Sequence, residues 1–146
     1  HFYDIPKYPL PKKMFGIFPT IPLKPEQSLF RGFDDVFRMP QSRHTEVRRE
    51  DIERVDDLEI IAESEKSGVA IVRSRSRREF FITGHLEYAP DTLDTEYRRD
   101  LGKRDDVEVP KYYYREDNPD KGPLVTWRSH ANLLFMNWVS WVLGSE

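Results

Sequence analysis

Residues 80–88 read Phe80-Phe81-Ile82-Thr83-Gly84-His85-Leu86-Glu87-Tyr88. Three apolar residues with a preference for extended chain run into a threonine, a glycine and a histidine, and a carboxylate follows two positions later. The run reads as a strand that stops at Gly84, where the missing Cβ allows a sharp turn and leaves room beside an imidazole. A histidine at the end of a strand can project into a cleft rather than a core. Glu87, at i+2, can point to the same side as His85. There it could accept the imidazole N–H, fix the tautomer and stabilise the imidazolium. A base oriented by a carboxylate is two parts of a nucleophilic triad. By spacing alone, His-x-Glu favours a structural or surface histidine over a catalytic one; the context of strand, glycine and helix start brings the two readings level.

Upstream of this stretch, Leu58–Glu63, Val69–Arg73 and Glu79–Thr83 are β-rich. Glu65-Lys66-Ser67-Gly68 and Ser74–Arg78 supply the two turns of a β-meander. Downstream, Pro90 opens a helix on which Leu93, Tyr97 and Leu101 form one apolar stripe, and Gly102 stops it. Residues 103–125 read as a long loop. A last helix spans about Thr126 to Leu143. Trp127, Ala131, Leu134, Trp138 and Trp141 repeat on it at helical spacing, and Phe135, Val139 and Val142 widen the stripe. That pattern predicts a largely buried helix. Towards the N-terminus, residues 5–25 carry six prolines and read as extended or looping chain, with a strand over Met14–Ile21 interrupted by Gly16 and Pro19. Ser28 to Phe37 holds a second short strand with a turn at Gly32, and Arg49 to Val55 a short charged helix.

The composition narrows the function. At 146 residues the chain is one domain or a large piece of one, and 13% aromatic content suffices for a core. A net charge of −3 makes the chain no polyanion binder, and the run Arg73, Arg75, Arg77 and Arg78 reads as a solvated turn, so no nucleic-acid partner is expected. The absence of cysteine rules out disulfides, zinc–thiolate sites and cysteine catalysis within the chain, and no metal site is expected. No apolar run approaches the roughly 20 residues of a membrane span and no signal peptide is visible, so no membrane partner is expected and a cytoplasmic location is the default. The first residue is His1 rather than Met, which suggests a fragment or a processed chain.

Thr83-Gly84-His85-Leu86-Glu87-Tyr88 resembles the Thr-Gly-His-Pro-Glu-Tyr signature of the homoserine O-acyltransferases, which place a succinyl or acetyl group on homoserine in methionine biosynthesis. Other blocks match in the same order. Ile5-Pro6-Lys7, followed by Lys13 and Gly16, is similar to the stretch just after that family's nucleophile. Arg31-Gly32-Phe33-Asp34-Asp35 and Pro40-Gln41-Ser42-Arg43 resemble its Arg-Gly-Phe-Asp-Asp and Pro-His-Ser-Arg blocks. Leu58-Glu59-Ile60-Ile61-Ala62-Glu63 matches another. Trp127-Arg128-Ser129-His130, with Asn132-Leu133-Leu134-Phe135 and Asn137-Trp138, matches the family's C-terminal helix. Together these blocks cover nearly all of the chain.

The resemblance implies an α/β fold like that of the class I glutamine amidotransferases, a flavodoxin-like and mostly parallel sheet with flanking helices. It implies that residues 1–146 are the C-terminal portion of a single catalytic domain, with the N-terminal half as the missing partner. The implied reaction is ping-pong: a cysteine thiolate takes the acyl group from acetyl- or succinyl-coenzyme A and passes it to the hydroxyl of L-homoserine. Acyl-coenzyme A is then a co-substrate, and no other cofactor is expected. His85 matches the base and Glu87 the carboxylate that orients it. Arg99 matches the arginine for the substrate carboxylate, and its guanidinium fork suits that task. Glu96, one helical turn earlier, could face the ammonium. Lys13 and Ser42 match two further substrate-site positions. Read singly, Arg99 and Glu96 are a surface ion pair, Lys13 an exposed lysine and Ser42 a turn residue. His130 reads as structural and His44 is unassigned. The family pattern also suggests a homodimer.

Three departures stand out. Leu86 replaces a proline, which should loosen the loop between base and carboxylate, and Gln41 replaces a histidine. In the family the nucleophilic cysteine lies upstream of the residues matching His1 to Pro6, so the resemblance implies that this chain alone is inactive and exposes sheet surface that the missing half covers. Two alternatives keep their place: an amidotransferase-like hydrolase of the same fold, and a non-catalytic interaction module.

Overall fold

A computed structural model describes residues 3–104 and 106–144. Strand β1 (Tyr8–Pro22) is its longest extended element. It pairs antiparallel with β2 (Phe37–Glu46) from Tyr8↔Glu46 to Thr20↔Phe37, with a register shift between Pro9 and Met14. Pro9 and Pro11 have no N–H to give a ladder, so a break in pairing is expected there. At its far end β1 pairs with β3 (Leu58–Ser64) through Ile21 and Pro22 only. β3, β4 (Gly68–Ser74) and β5 (Phe80–Ile82) form the meander read from the sequence, and the sheet order is β2-β1-β3-β4-β5. All four of these ladders are antiparallel. The mostly parallel sheet implied by the family resemblance is therefore absent from these five strands.

Each face of the sheet carries an apolar cluster, while Ile21, Phe81 and Ile82 of its strands stay exposed. A short helix α1 (Arg49–Glu53) seats Ile52 among Leu58, Ile60, Val69 and Val72 on one face. On the other, Ala131 and Leu134 of helix α3 (Arg128–Leu143) pack with Leu29, Phe30, Phe37, Met39, Ile61 and Ile71. A third cluster joins Phe15 and Ile17 of β1 to Leu93 and Tyr97 of helix α2 (Thr92–Leu101), and to Tyr113, Tyr114 and Trp127. The close approach that makes this cluster possible needs Gly16. Its φ is +145°, and any Cβ there would collide with the backbone of Lys111. Ile17 N donates to Lys111 O at 2.8 Å and Lys111 N to Phe15 O at 2.9 Å, so the 103–125 loop, which also holds two 3-10 turns, is stitched to β1.

Several expectations need correction. The expected strand over Ser28–Phe37 is a 3-10 turn at Ser28–Phe30 followed by irregular chain, with Gly32 at φ +79°, and the second strand begins only at Phe37. Helix α3 is not largely buried. Ala131, Leu134 and Asn137 are, whereas Phe135, Met136, Trp138, Val139, Val142 and Leu143 are exposed. Apolar periodicity marks what a helix would bury, not whether a partner is at hand. Leu101, the last residue of the α2 stripe, is also exposed. His1 lies outside the described residues.

Candidate active site

The turn after β5 is built by close packing around Gly84. A Cβ on Gly84 would sit 2.6 Å from both Met39 Sδ and Pro40 O, so only glycine lets β5 end this close to β2. That approach allows His85 N to donate to Pro40 O at 2.8 Å. Thr83 Oγ1 donates to Val69 O at 2.8 Å, and Tyr88 N closes the turn onto His85 O at 3.2 Å. Leu86 turns inward, 3% exposed, and joins the core beneath α3. Burial of Leu86 therefore ties the loop between His85 and Glu87 to the core. Further along, Trp127 Nε1 donates to Tyr88 O at 3.1 Å and Tyr113 Oη to Pro90 O at 2.5 Å.

This scaffold brings His85 and Glu87 together. His85 Nδ1 lies 2.9 Å from Glu87 Oε1. A carboxylate only accepts, so the proton of the neutral ring belongs on Nδ1, and Nε2 keeps a free lone pair. The Tyr88 ring lies parallel to the imidazole, centroids 4.4 Å apart. Glu87 is 60% exposed, so the pair contributes little to stability.

A second cluster adjoins the first. Lys13 Nζ reaches Glu96 Oε1 at 2.6 Å and Asp100 Oδ2 at 3.4 Å. Ser42 Oγ donates to the Glu96 carboxylate at 2.8 Å. Arg99 lies 3.8 Å from Glu96 and 3.0 Å from Asp100. The Arg99 hydrogen bond, helped by the charge of Lys13, draws the Asp100 carboxyl below its usual range against partial burial, and Asp100 raises Arg99 in turn. Lys13 also sits 3.9 Å over the Phe15 ring. All six residues singled out from the sequence thus fall into two neighbouring groups. Strand β2 joins them: Pro40 holds the His85 backbone, while Ser42 bonds Glu96. Burial, and then the charges of Glu96 and Glu87, push the Tyr88 phenol above its usual value.

Two residues were missed in the sequence. Asp100 stands four positions after Glu96, on the same helical face, so spacing alone could have found it. Tyr88 lay in the opening motif, but a ring stack leaves no trace in spacing. Buried Gln41 accepts from Arg43 Nε at 3.0 Å. His130 packs against the Phe33 ring and lies 3.2 Å from Asp34, as its structural reading requires, and His44 is exposed. Among the described residues no cluster of His, Asp and Glu could hold a metal ion, and no helix is long and apolar enough to cross a membrane.

Solved structures give the class. The chain superposes on a glutamine amidotransferase from Thermotoga maritima with a TM-score of 0.60, covering 97% of this chain and 56% of that one at 14% identity. It matches the protein SMU.1228c with a TM-score of 0.64, over 97% of this chain and 57% of that one, again at 14% identity. The fold is α/β and is similar to that of these glutamine amidotransferase-like structures. Within that class the chain belongs to the homoserine O-succinyltransferase family, whose sequence model matches residues 1–146. A homoserine O-acetyltransferase of Bacteroides thetaiotaomicron is 60% identical over 146 residues, which are 100% of this chain and 48% of that protein. Another, from Brevibacillus brevis, is 53% identical with the same coverage. The chain spans about half the length of these relatives.

Proposed function

We propose that the complete protein transfers an acyl group from acyl-coenzyme A to the hydroxyl of L-homoserine, and that this chain is the C-terminal portion of its single catalytic domain. The observation that carries this reading is the single strand β2 joining an oriented imidazole to a cluster of paired opposite charges. A cysteine thiolate outside this chain attacks the thioester carbonyl, and coenzyme A leaves as a thiol after taking a proton from the His85 imidazolium. The homoserine hydroxyl then gives its proton to His85 Nε2 and attacks the acyl-cysteine, and the thiolate departs with the electron pair. Glu87 holds Nδ1 through both steps.

The charged cluster suits an amino-acid acceptor. Lys13, Glu96, Asp100 and Arg99 form two cation–anion sets, which a zwitterion can enter by exchanging partners. Arg99 takes the carboxylate and Glu96 the ammonium, with Lys13 and Ser42 holding Glu96 in place. The relatives' names favour acetyl-coenzyme A, and the family model's description keeps succinyl-coenzyme A in play. A role in methionine biosynthesis in the cytoplasm, as a homodimer, accompanies this reading.

The test is coenzyme A release by the complete gene product with homoserine and each donor. His85→Ala should lower turnover by about 10²–10⁴-fold, the usual contribution of a general base. Full activity in that variant would remove His85 from the mechanism. The amidotransferase-like neighbour supports one other reading, hydrolysis of glutamine, and glutaminase activity without acyl transfer would establish it.

A further inference from the structure

We propose that Tyr88 is a positioning residue for His85: its ring, pinned through its own backbone carbonyl by Trp127, fixes the plane in which the imidazole presents Nε2. This deepens the reading of His85 as the base and rests on it. The Nδ1–Glu87 hydrogen bond constrains one atom of the ring, and Glu87 is itself well exposed. A bond of that kind leaves the imidazole free to tilt about the Nδ1–Oε1 direction. The stack with Tyr88 supplies the missing constraint, since the two planes lie within 1° of each other. The stack in turn needs a fixed Tyr88. Its amide donates back to His85 O at 3.2 Å, and its carbonyl accepts from Trp127 Nε1 at 3.1 Å. Trp127 is 2% exposed in the cluster that joins β1 to α2, so the ring plane of His85 is tied to a buried indole at the start of α3.

The chemistry favours a ring at this place. The imidazole becomes a cation each time it takes a proton, and the face of a neutral phenol attracts a cation. Burial and the neighbouring carboxylates oppose ionisation of Tyr88, so the ring stays neutral. The hydroxyl is not needed for this task, and phenylalanine should serve.

The experiment uses the complete gene product with Tyr88→Phe, Tyr88→Leu and Trp127→Phe, each first checked for a native circular dichroism spectrum. Misplacing a reacting group by about 1 Å can cost 10²-fold, so Tyr88→Leu should lose about 10- to 100-fold in kcat with KM for homoserine within about threefold. Tyr88→Phe should restore kcat to within about threefold of the wild type, and Trp127→Phe should fall between the two. Proton NMR reads the stack directly. The His85 ring protons should be shifted upfield in the wild type and Tyr88→Phe, and should return to ordinary positions in Tyr88→Leu. Wild-type kcat in Tyr88→Leu, an equal loss in Tyr88→Phe, or a change confined to KM would each overturn the proposal. If Tyr88→Leu does not fold, unchanged kcat in Trp127→Phe overturns it instead. Full activity in His85→Ala would defeat the underlying base assignment and this proposal with it, while the NMR shift would still report the stack.

Discussion

Replacing Leu86 with alanine tests whether the core holds the candidate site in place. The change removes three carbon atoms from a side chain that is 3% exposed among Met39, Ile61, Ile71 and Leu134. At about 0.8 kcal/mol per buried methylene, the transfer loss alone is about 2.4 kcal/mol. The cavity left behind adds to it, since the sheet on one side and α3 on the other cannot fully collapse, so a total of about 3 kcal/mol is expected. Leu86→Met conserves volume and should cost less than about 1.5 kcal/mol. The assay is urea unfolding of the complete gene product, followed by circular dichroism, with the slope m checked for constancy. Leu86 is flanked by the two residues of the candidate dyad, so kcat, measured well below the unfolding temperature, should also fall by about tenfold or more in Leu86→Ala, and Leu86→Met should retain it. A loss of under about 1 kcal/mol would refute the claim that burial of Leu86 anchors the loop.

Two further outcomes follow from the same geometry. Gly84→Ala should destabilise by about 1–3 kcal/mol and depress coenzyme A release, because the added methyl group meets the Pro40 carbonyl and would push His85 off it; a wild-type thermal melt would show that the turn has slack the structure does not have. The second concerns pH. Burial would raise the Asp94 carboxyl, but hydrogen bonds from Arg98 and Tyr114 outweigh it and hold Asp94 below the usual range. A depressed folded value means that the contribution to stability is complete above the unfolded value of about 3.9 and disappears as pH falls through the folded one. The stability gap between wild type and Asp94→Asn should therefore be wide at neutral pH and shrink below about pH 4, as read from urea midpoints; a gap independent of pH would assign the loss to something other than the carboxylate.

The legible parts of this fold were those that local chemistry specifies. The meander announced itself through alternating β-formers and polar turns, and α2 through Pro90, its stripe and Gly102. Strand β2 did not. Phe37–Glu46 mixes Arg38, Pro40, Arg43 and His44 with only two large apolar residues, and its extended form is imposed by pairing with β1. Tertiary pairing of this kind overrides local preference. β1 was half-read because its prolines suggested a loop, yet one flank of the strand is stitched to Lys111 rather than to another full strand, which leaves room for residues without an N–H. For the site, spacing alone favoured a structural histidine; the strand, the glycine and the helix start brought a catalytic reading of His85 and Glu87 level with it, and the family resemblance decided between them. Lys13, Ser42, Glu96 and Arg99 came from the family resemblance, since nothing local connects positions so far apart. The structure adds Asp100 and Tyr88 to them.

The two groups of the candidate site lie at different distances along the folding path. His85 and Glu87 are two residues apart and can meet once the chain turns at the end of β5. Lys13 and Glu96 are 83 residues apart, and Ser42 and Glu96 are 54 apart. Loop-closure entropy rises by only about 0.6 kcal/mol per doubling of length, so these two long contacts face nearly the same penalty and should lock together when α2 docks on β1. Contacts of such separation form late in folding. A nascent chain would then bring the imidazole and its carboxylate side by side before Lys13 and Ser42 reach Glu96.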